Sequence, residues 1–259
     1  MATVTQHAPG MFCWTQLGTR DEEGARKFYS GLFGWSDEKT SANGQDFTVV
    51  KKNDKAVGAI MGQAANQDSP SWLPFVAVED LDEVVSHVRE EGGKILMQPF
   101  EVGPNGRFAV FEDPTGGVFA VWKAGEKAGA EIVNETGAMC WNELITTDSE
   151  EAGAFYEGIF GWKREPMPNP GGGSGTYTIF KLGSDQAGGM MTARPEMHLK
   201  RAFWMVYFAV ADCDQITARA EQLGGKVMMP PTDIPTVGRF ATIRDPQGAA
   251  FSIIKPMRS

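Results

Sequence analysis

The sequence has few of the residues that most often build metal centres, disulfides or nucleic-acid sites. It has 3 histidines and 3 cysteines among 259 residues, and no Lys/Arg cluster is longer than a pair. A formal net charge of -9 repels a phosphate backbone, so we expect no nucleic-acid partner. An odd cysteine count does not suggest a disulfide framework, and Cys13, Cys140 and Cys213 are expected to be small buried residues.

Long apolar runs are also missing. The longest stretch, at 202–210, is far shorter than the roughly 18 residues of a membrane span. The first ten residues, MATVTQHAPG, lack the basic segment and apolar stretch of a signal peptide. We therefore expect no membrane partner and a cytoplasmic location, although export that needs no signal peptide stays open.

What the sequence does contain is an internal repeat. The stretch FCWTQLGT at 12–19 returns as MCWNELIT at 139–146, with a tryptophan held in the middle. Trp35 matches Trp162, and the Asp-Pro pair at 113–114 matches the pair at 245–246. Because domains average about 150 residues, the repeat predicts two homologous domains. Their predicted bounds are 1–123 and 137–259, joined by a charged, Ala/Gly-rich linker at 124–136.

Each copy divides again into two similar halves. In the first half, apolar residues recur at helical spacing, at Ala25, Phe28, Tyr29, Leu32 and Phe33. An aspartate precedes this helix and Gly34 ends it, and the same signals flank the later helices. Short alternating runs, such as 47–50 and 177–180, predict strands between the helices. The pattern predicts an α+β fold made of four βαβββ units.

These motifs resemble a known superfamily. The stretches FCWTQLGT…ARKFYSGLFGW, FVAVEDLDEVVSHVREEGGK and FEDPTGGVFAVW resemble the vicinal oxygen chelate (VOC) superfamily. It includes glyoxalase I, extradiol dioxygenases, and fosfomycin- and bleomycin-resistance proteins. The likeness covers nearly the whole chain and is greatest to two-domain glyoxalase-like proteins often labelled hydroxylase or secreted antigen. It implies two tandem VOC domains, each a half-open barrel with its helices outside and a ligand cup inside.

The resemblance also provides a test for a metal. In metal-dependent relatives, His or Glu side chains at fixed points of the cup wall hold the ion. The matching positions here are Trp14, Leu73, Ala120, Trp141, Met205 and Ser252. None offers the carboxylate or imidazole that such an ion prefers. We therefore expect no metal and no other cofactor, and no metal-dependent glyoxalase or dioxygenase activity. His198, in the loop before the last unit, is the one histidine expected to have any chance of reaching a cup.

Strand alternation then predicts what lines the cups. If Trp14 and Trp141 point inward, the residues two positions away, including Phe12 and Met139, point inward too. Glu112 is expected as a further polar group of the first cup. The predicted ligand-binding residues are Trp14, Gln16, Phe75, Trp122, Trp141, Met205, Thr242 and Ser252.

The second cup carries the candidate catalytic residues Glu143, Tyr207 and Arg244. In an apolar cup, desolvation raises the pKa of Glu143 unless Arg244 pairs with it. Glu143 would act as acid or base, while Tyr207 or Arg244 would steady a developing oxyanion.

The residues leave three functions open. The first is a metal-free protein that binds a small hydrophobic or aromatic molecule in a Trp-lined cup. The alternative is a metal-independent isomerase or lyase-type enzyme that uses Glu143 as acid/base, so the assignment as an enzyme stays open. The third is a scaffold whose aromatic residues merely fill its cores and whose surface binds another protein. Both a monomer with an internal pseudo-dimer and a homodimer fit the duplicated chain.

Overall fold

The computed structural model describes residues 3–42, 44–63, 69–172 and 175–257. The first domain comprises β1 Phe12–Thr19, α1 Glu22–Phe33, β2 Ser36–Ala42, β3 Gln45–Lys52, β4 Lys55–Gly62, β5 Ser71–Ala77, α2 Leu81–Glu90, β6 Lys94–Glu101, β7 Gly106–Glu112 and β8 Val118–Ala124. The second comprises β9 Met139–Thr146, α3 Ser149–Phe160, β10 Lys163–Pro168, β11 Thr176–Leu182, β12 Asp185–Thr192, β13 Phe203–Ala209, α4 Cys213–Gln222, β14 Lys226–Ile234, β15 Gly238–Arg244 and β16 Ala250–Pro256. Strand, helix and three strands recur four times, which confirms the predicted βαβββ units.

The helices begin and end where the sequence predicts. Asp21 caps α1 through a hydrogen bond from the Gly24 amide, and Asp148 caps α3 in the same way through two amides. Gly34 and Gly161, which follow these helices, adopt left-handed backbone angles with φ of 67° and 66°. A residue with a Cβ is strained in this conformation, so glycine is the natural helix stop.

Each domain forms one eight-stranded sheet. The strand order is β2-β3-β4-β1-β5-β8-β7-β6 in the first domain and β10-β11-β12-β9-β13-β16-β15-β14 in the second. The two βαβββ units of a domain join at the centre, where β1 runs antiparallel to β5 and β9 antiparallel to β13. Each cup is therefore built within one domain. Below, the concave faces of the first and second sheets are called the first cup and the second cup.

The other face of each sheet carries the helices and meets the neighbouring domain. On this side Phe28 and Tyr29 of α1 contact Phe251 of β16, with ring centroids 6.2 and 5.4 Å apart. In the second domain Phe155 and Tyr156 of α3 contact Phe119 of β8 at 6.0 and 5.3 Å. The two domains consequently share one aromatic core, in which each long helix packs on the other domain's sheet.

Two tryptophans link the domains by hydrogen bonds from their indoles to backbone carbonyl groups of the opposite domain. The Trp35 indole donates to the Gly137 carbonyl at 2.7 Å, and the Trp162 indole donates to the Gly10 carbonyl at 2.8 Å. Both indoles are almost fully buried, with exposed fractions of 3% and 1%. A buried indole N–H needs an acceptor, and each one finds it just before the first strand of the opposite domain.

The central strand pair of each sheet contains a register shift, and this shift corrects one prediction. The pairing of β1 with β5 shifts between Phe12 and Trp14, and β13 shifts against β9 between Tyr207 and Phe208. Phe12 therefore leaves the cup and packs edge-on against Trp204, with centroids 5.1 Å apart. The expectation that Phe12 and Met139 face the cups was wrong, because a bulge resets the alternation and both residues join the shared core.

Candidate functional site

The first cup encloses a cavity of about 280 Å³. Its walls come from all eight strands of the first sheet, and six of the lining side chains are aromatic. The aromatic lining residues are Trp14, Phe47, Phe75, Phe100, Phe108 and Trp122. Trp14 and Trp122 stay partly exposed and line the cavity, unlike Trp35 in the core. The structure brings together the predicted ligand-binding residues Trp14, Gln16, Phe75 and Trp122.

Polar groups of the first cup lie at a few points of this apolar wall. Gln16 donates its amide to the Met61 sulfur at 2.6 Å, and Asn105 also lines the cavity. Lys51 and Glu38 form an ion pair at the edge of the cavity. A guest in the first cup thus meets six aromatic side chains together with polar groups that include the amides of Gln16 and Asn105.

The segment 125–131 closes one side of the first cup. The Trp122 indole donates to the Lys127 carbonyl at 2.9 Å, and the Ala130 amide donates to the Cys13 carbonyl at 2.7 Å. Lys127 and Glu131 line the cavity directly. This part of the predicted linker is thus held against the first domain, and sequence patterns contain no signal for that docking.

Glu112 does not line this cavity. It ends β7, where Lys94 lies 2.9 Å from one carboxylate oxygen and Arg201 pairs with the other. The expectation that Glu112 is a polar group of the first cup was wrong, because the cations of a neighbouring strand and of the second domain hold it at the domain boundary.

The second cup contains a connected set of buried polar groups. Tyr207 donates its hydroxyl to Glu143 Oε2 at 2.8 Å, and Tyr177 donates to the same carboxyl group. The Trp141 indole donates to the Tyr177 hydroxyl at 3.0 Å. On the far side Ser252 hydrogen-bonds Tyr207 and lies 2.9 Å from the Thr242 hydroxyl. The structure thus joins the predicted residues Trp141, Glu143, Tyr207, Thr242 and Ser252 in one network, with Met205 opposite Glu143.

Glu143 lacks the counter-charge that the sequence suggested. Its polar partners in the described chain are the two tyrosine hydroxyls, and Arg244 lies exposed at the end of β15. The structure does not bring Arg244 into the network, because that position lies beyond the cup, as Glu112 does in the first domain. Burial is the main cause that raises the pKa of Glu143, while the hydrogen bonds from Tyr207 and Tyr177 lower it.

This raised pKa predicts a pH dependence of stability. The folded state binds the Glu143 proton more tightly than the unfolded state, so the free energy of unfolding falls as pH rises through the window from the ordinary to the raised pKa. Glu143→Gln removes this effect. We expect the stability of the variant relative to the unsubstituted protein to increase across that window and then to level off.

Urea unfolding at several pH values measures this difference. Gln16 is the matching residue of the first cup, so Gln16→Glu is the reverse variant and should lose stability relative to the parent over the same kind of window. A Glu143→Gln difference that does not vary with pH, or that falls as pH rises, contradicts the assignment.

Sequence reasoning missed Tyr177. It lies on β11, whose alternation was used to predict a strand but not extended to the cup face. Its match to Phe47 in the repeat is the signal that indicates its position, because Phe47 lines the first cup. His198 is exposed after the short helical turn at 195–197 and takes no part in the network.

A divalent metal does not fit either cup. In the described part of the chain, no group of three or more His, Cys, Asp or Glu residues is placed to hold an ion. The six positions that match metal ligands in the superfamily carry Trp, Leu, Ala, Met and Ser, and Glu143 is hydrogen-bonded by the hydroxyls of Tyr207 and Tyr177.

In the same described ranges, no helix is long and apolar enough to cross a membrane.

Comparison with known proteins decides the family. The model of the glyoxalase/bleomycin resistance protein/dioxygenase superfamily matches residues 12–121 and 141–253. The chain belongs to this superfamily. CFP32 of Mycobacterium tuberculosis, which is provisionally named as a glyoxylase, is 40% identical over 99% of this chain and 98% of its own length. The anthracycline biosynthesis protein DnrV of Streptomyces peucetius is 34% identical over 97% of this chain and 95% of its own.

Two solved structures share the fold at low sequence identity. The Mn(II)-bound glyoxalase of Novosphingobium aromaticivorans gives a TM-score of 0.65 at 14% identity, covering 100% of this chain and 84% of its own. The 2,3-dioxygenase LapB of Pseudomonas sp. KL28 gives 0.66 at 15%, covering 100% and 94%. At this level of identity the likeness establishes the fold and not an activity.

Proposed function

We propose that the protein binds a flat, largely apolar aromatic compound in the first cup, without a metal. The observation that carries the proposal is the cavity of about 280 Å³ between aromatic walls. Stacking of a planar guest on Trp14 and Trp122 removes apolar area from water and uses the ring faces that border the cavity. The volume lies just below the usual range for ligand pockets, roughly 300–1,000 Å³, and suits a compact ring system.

Two further observations support this class of guest. Gln16 and Asn105 offer a few directional groups, which is the usual division of labour in small-molecule pockets. The relative DnrV is named for the biosynthesis of anthracyclines, which are fused-ring aromatic compounds. The aromatic side chains that line this cup suit a ring compound of this chemical class.

Truncation of Trp14 in the first cup tests the proposal. We expect Trp14→Ala to weaken the binding of naphthalene by at least about tenfold, because one stacked indole face contributes on the order of 1 kcal/mol beyond its buried area. Isothermal titration calorimetry measures the affinity and the number of sites.

Trp141→Ala is the matched control, since it removes the equivalent indole from the second cup. It is expected to leave the naphthalene affinity within about twofold of the parent. If naphthalene does not bind the parent protein, or if both variants lose the same affinity, the first cup is not the aromatic site.

The geometry of Glu143 favours a second candidate function. A buried carboxyl group with a raised pKa, held by Tyr207 and Tyr177, resembles a general acid or base. An isomerase or lyase-type reaction begins with removal of a proton next to a carbonyl group. We therefore expect the protein to speed the exchange of the α-protons of 2-tetralone in D₂O, and Glu143→Gln to slow this exchange by about 100-fold.

Proton NMR follows this exchange directly. Glu143→Gln must keep its naphthalene affinity, which shows that the first cup is intact. If the parent protein does not accelerate the exchange, binding in the first cup stands as the function and the acid/base role is rejected.

A further inference from the structure

Tyr177 occupies the second cup much as a bound ligand would. Its hydroxyl accepts a hydrogen bond from the Trp141 indole at 3.0 Å and donates one to Glu143. To reach these partners the side chain crosses Gly189 on β12, which lies opposite Glu143 in the sheet. A Cβ at Gly189 would lie 1.9 Å from the Tyr177 oxygen, so glycine is required for this placement.

The first cup shows the same positions with different residues. Phe47 stands at the position of Tyr177, Ala59 at that of Gly189, and Gln16 at that of Glu143. All three line the open cavity of the first cup. The phenol hydroxyl and the missing methyl group are therefore the features that seat Tyr177 inside the second cup.

We propose that the second cup is a separate binding site for hydroxyaryl compounds, and that the Tyr177 phenol fills it until such a compound displaces it. This site goes beyond the aromatic guest of the first cup. Displacement of Tyr177 leaves Glu143 without one donor and the Trp141 indole N–H without its acceptor. A phenolic hydroxyl replaces both interactions at once, whereas an aromatic hydrocarbon replaces neither and an ammonium group offers no acceptor to Trp141.

The remainder of the site stays in place when Tyr177 leaves. Tyr207 keeps its 2.8 Å hydrogen bond to Glu143, and Ser252 holds Tyr207 in turn. The strands on either side place Gly189 and Met205 opposite Glu143, so Tyr177 and Tyr207 are the titratable groups that face it in the described chain. Recognition of the incoming hydroxyl is thus preorganised, and one side chain has to move.

A titration of the ¹⁵N-tryptophan-labelled protein with p-cresol tests the proposal in the unsubstituted chain. We expect the Trp141 indole N–H resonance, assigned by its loss in Trp141→Phe, to shift with p-cresol and not with toluene. Toluene has the ring of p-cresol without its hydroxyl. It can therefore enter the first cup but cannot replace the hydrogen bonds of Tyr177 in the second cup. A Trp141 resonance that ignores p-cresol, or that responds equally to both compounds, overturns the proposal.

Tyr177→Ala then removes the resident phenol. Calorimetry is expected to find p-cresol bound in the second cup at least tenfold tighter than in the parent, and at least tenfold tighter than toluene at that site. Phe47→Ala makes the matched truncation in the first cup and should leave the p-cresol affinity of the second cup unchanged. An unchanged p-cresol affinity of the second cup in Tyr177→Ala contradicts the proposal.

Tyr177→Phe covers the case in which the alanine variant does not fold. It keeps the ring and deletes the hydroxyl, so the resident side chain competes less well. The p-cresol concentration that half-shifts the Trp141 resonance should fall at least tenfold relative to the parent, and an equal or higher concentration overturns the proposal. Naphthalene binding reports on the first cup independently, so failure of that function and failure of this site are distinguishable.

Discussion

Trp162→Ala is expected to lower the free energy of unfolding by about 3–5 kcal/mol. The indole is 1% exposed and packs against Phe180, Phe12 and Tyr156, with ring centroids 4.9, 5.8 and 5.6 Å away. Truncation leaves a void between the two domains and deprives the Gly10 carbonyl of the indole N–H. The surrounding rings come from both domains, which limits how far they can collapse into the space.

Trp14→Ala is the matched control for this experiment. It deletes the same side chain from a position that already borders the open cavity of the first cup, so truncation enlarges existing space. We expect a loss below about 2 kcal/mol, measured by the same urea unfolding. Comparable losses in the two variants would contradict the division between core and cup tryptophans. Together the variants separate stability from binding, because Trp14→Ala is also the one expected to weaken naphthalene.

Asp113→Ala is expected to lower the free energy of unfolding by at least about 3 kcal/mol. One carboxylate oxygen accepts from the Thr115 and Gly117 amides and the Thr115 hydroxyl, at 2.7 to 3.0 Å. The other accepts from the Tyr156 hydroxyl at 2.8 Å, and Tyr156 in turn accepts from the Trp204 indole at 2.8 Å. The substitution leaves this set of buried donors without their acceptor.

The second domain repeats this arrangement. Tyr29 donates to Asp245 at 2.9 Å and accepts from the Trp72 indole at 2.9 Å. Each hydrogen-bonded series of Trp, Tyr and Asp crosses the boundary between the domains. The Asp-Pro turns therefore help to hold the two sheets together. Asp37→Ala, which removes an exposed partner of Arg26, is the control and should cost under about 1 kcal/mol in thermal or urea unfolding. If Asp113→Ala lowers the free energy of unfolding by no more than Asp37→Ala, the Asp-Pro turn does not hold the two domains together.

Much of the fold follows from local pattern in the sequence. The helix α1 was predictable because apolar residues recur every three or four positions and Gly34 follows them. The duplication was visible because both copies retain the same strand around Trp14 and Trp141. Which tryptophans lie in the core and which in a cup was harder to predict, since Trp14 on β1 and Trp35 between α1 and β2 are the same residue type. A bulge at Phe12 further disturbed the alternation on which the cup prediction rested.

The residues that the central strands offer to the candidate site could be predicted from the sequence, whereas the side chain that fills the second cup could not. The alternation along β9 correctly placed Trp141 and Glu143 in the same network. It could not show that Tyr177 enters from β11, because that contact depends on the missing side chain of Gly189 on the strand between them. Face parity left a pairing of Glu143 with Arg244 open, because parity does not say where along a strand the cup ends.

The sequence by itself determined the two domains, their βαβββ units and the side chains offered to each cup, because periodicity, capping and duplication are local or repeated signals. The tertiary structure alone decided that each cup closes within one domain, that segment 125–131 docks on the first cup and that Tyr177 enters the second. These outcomes depend on contacts between residues far apart in the chain, where packing and the need to satisfy buried polar groups outweigh any local preference.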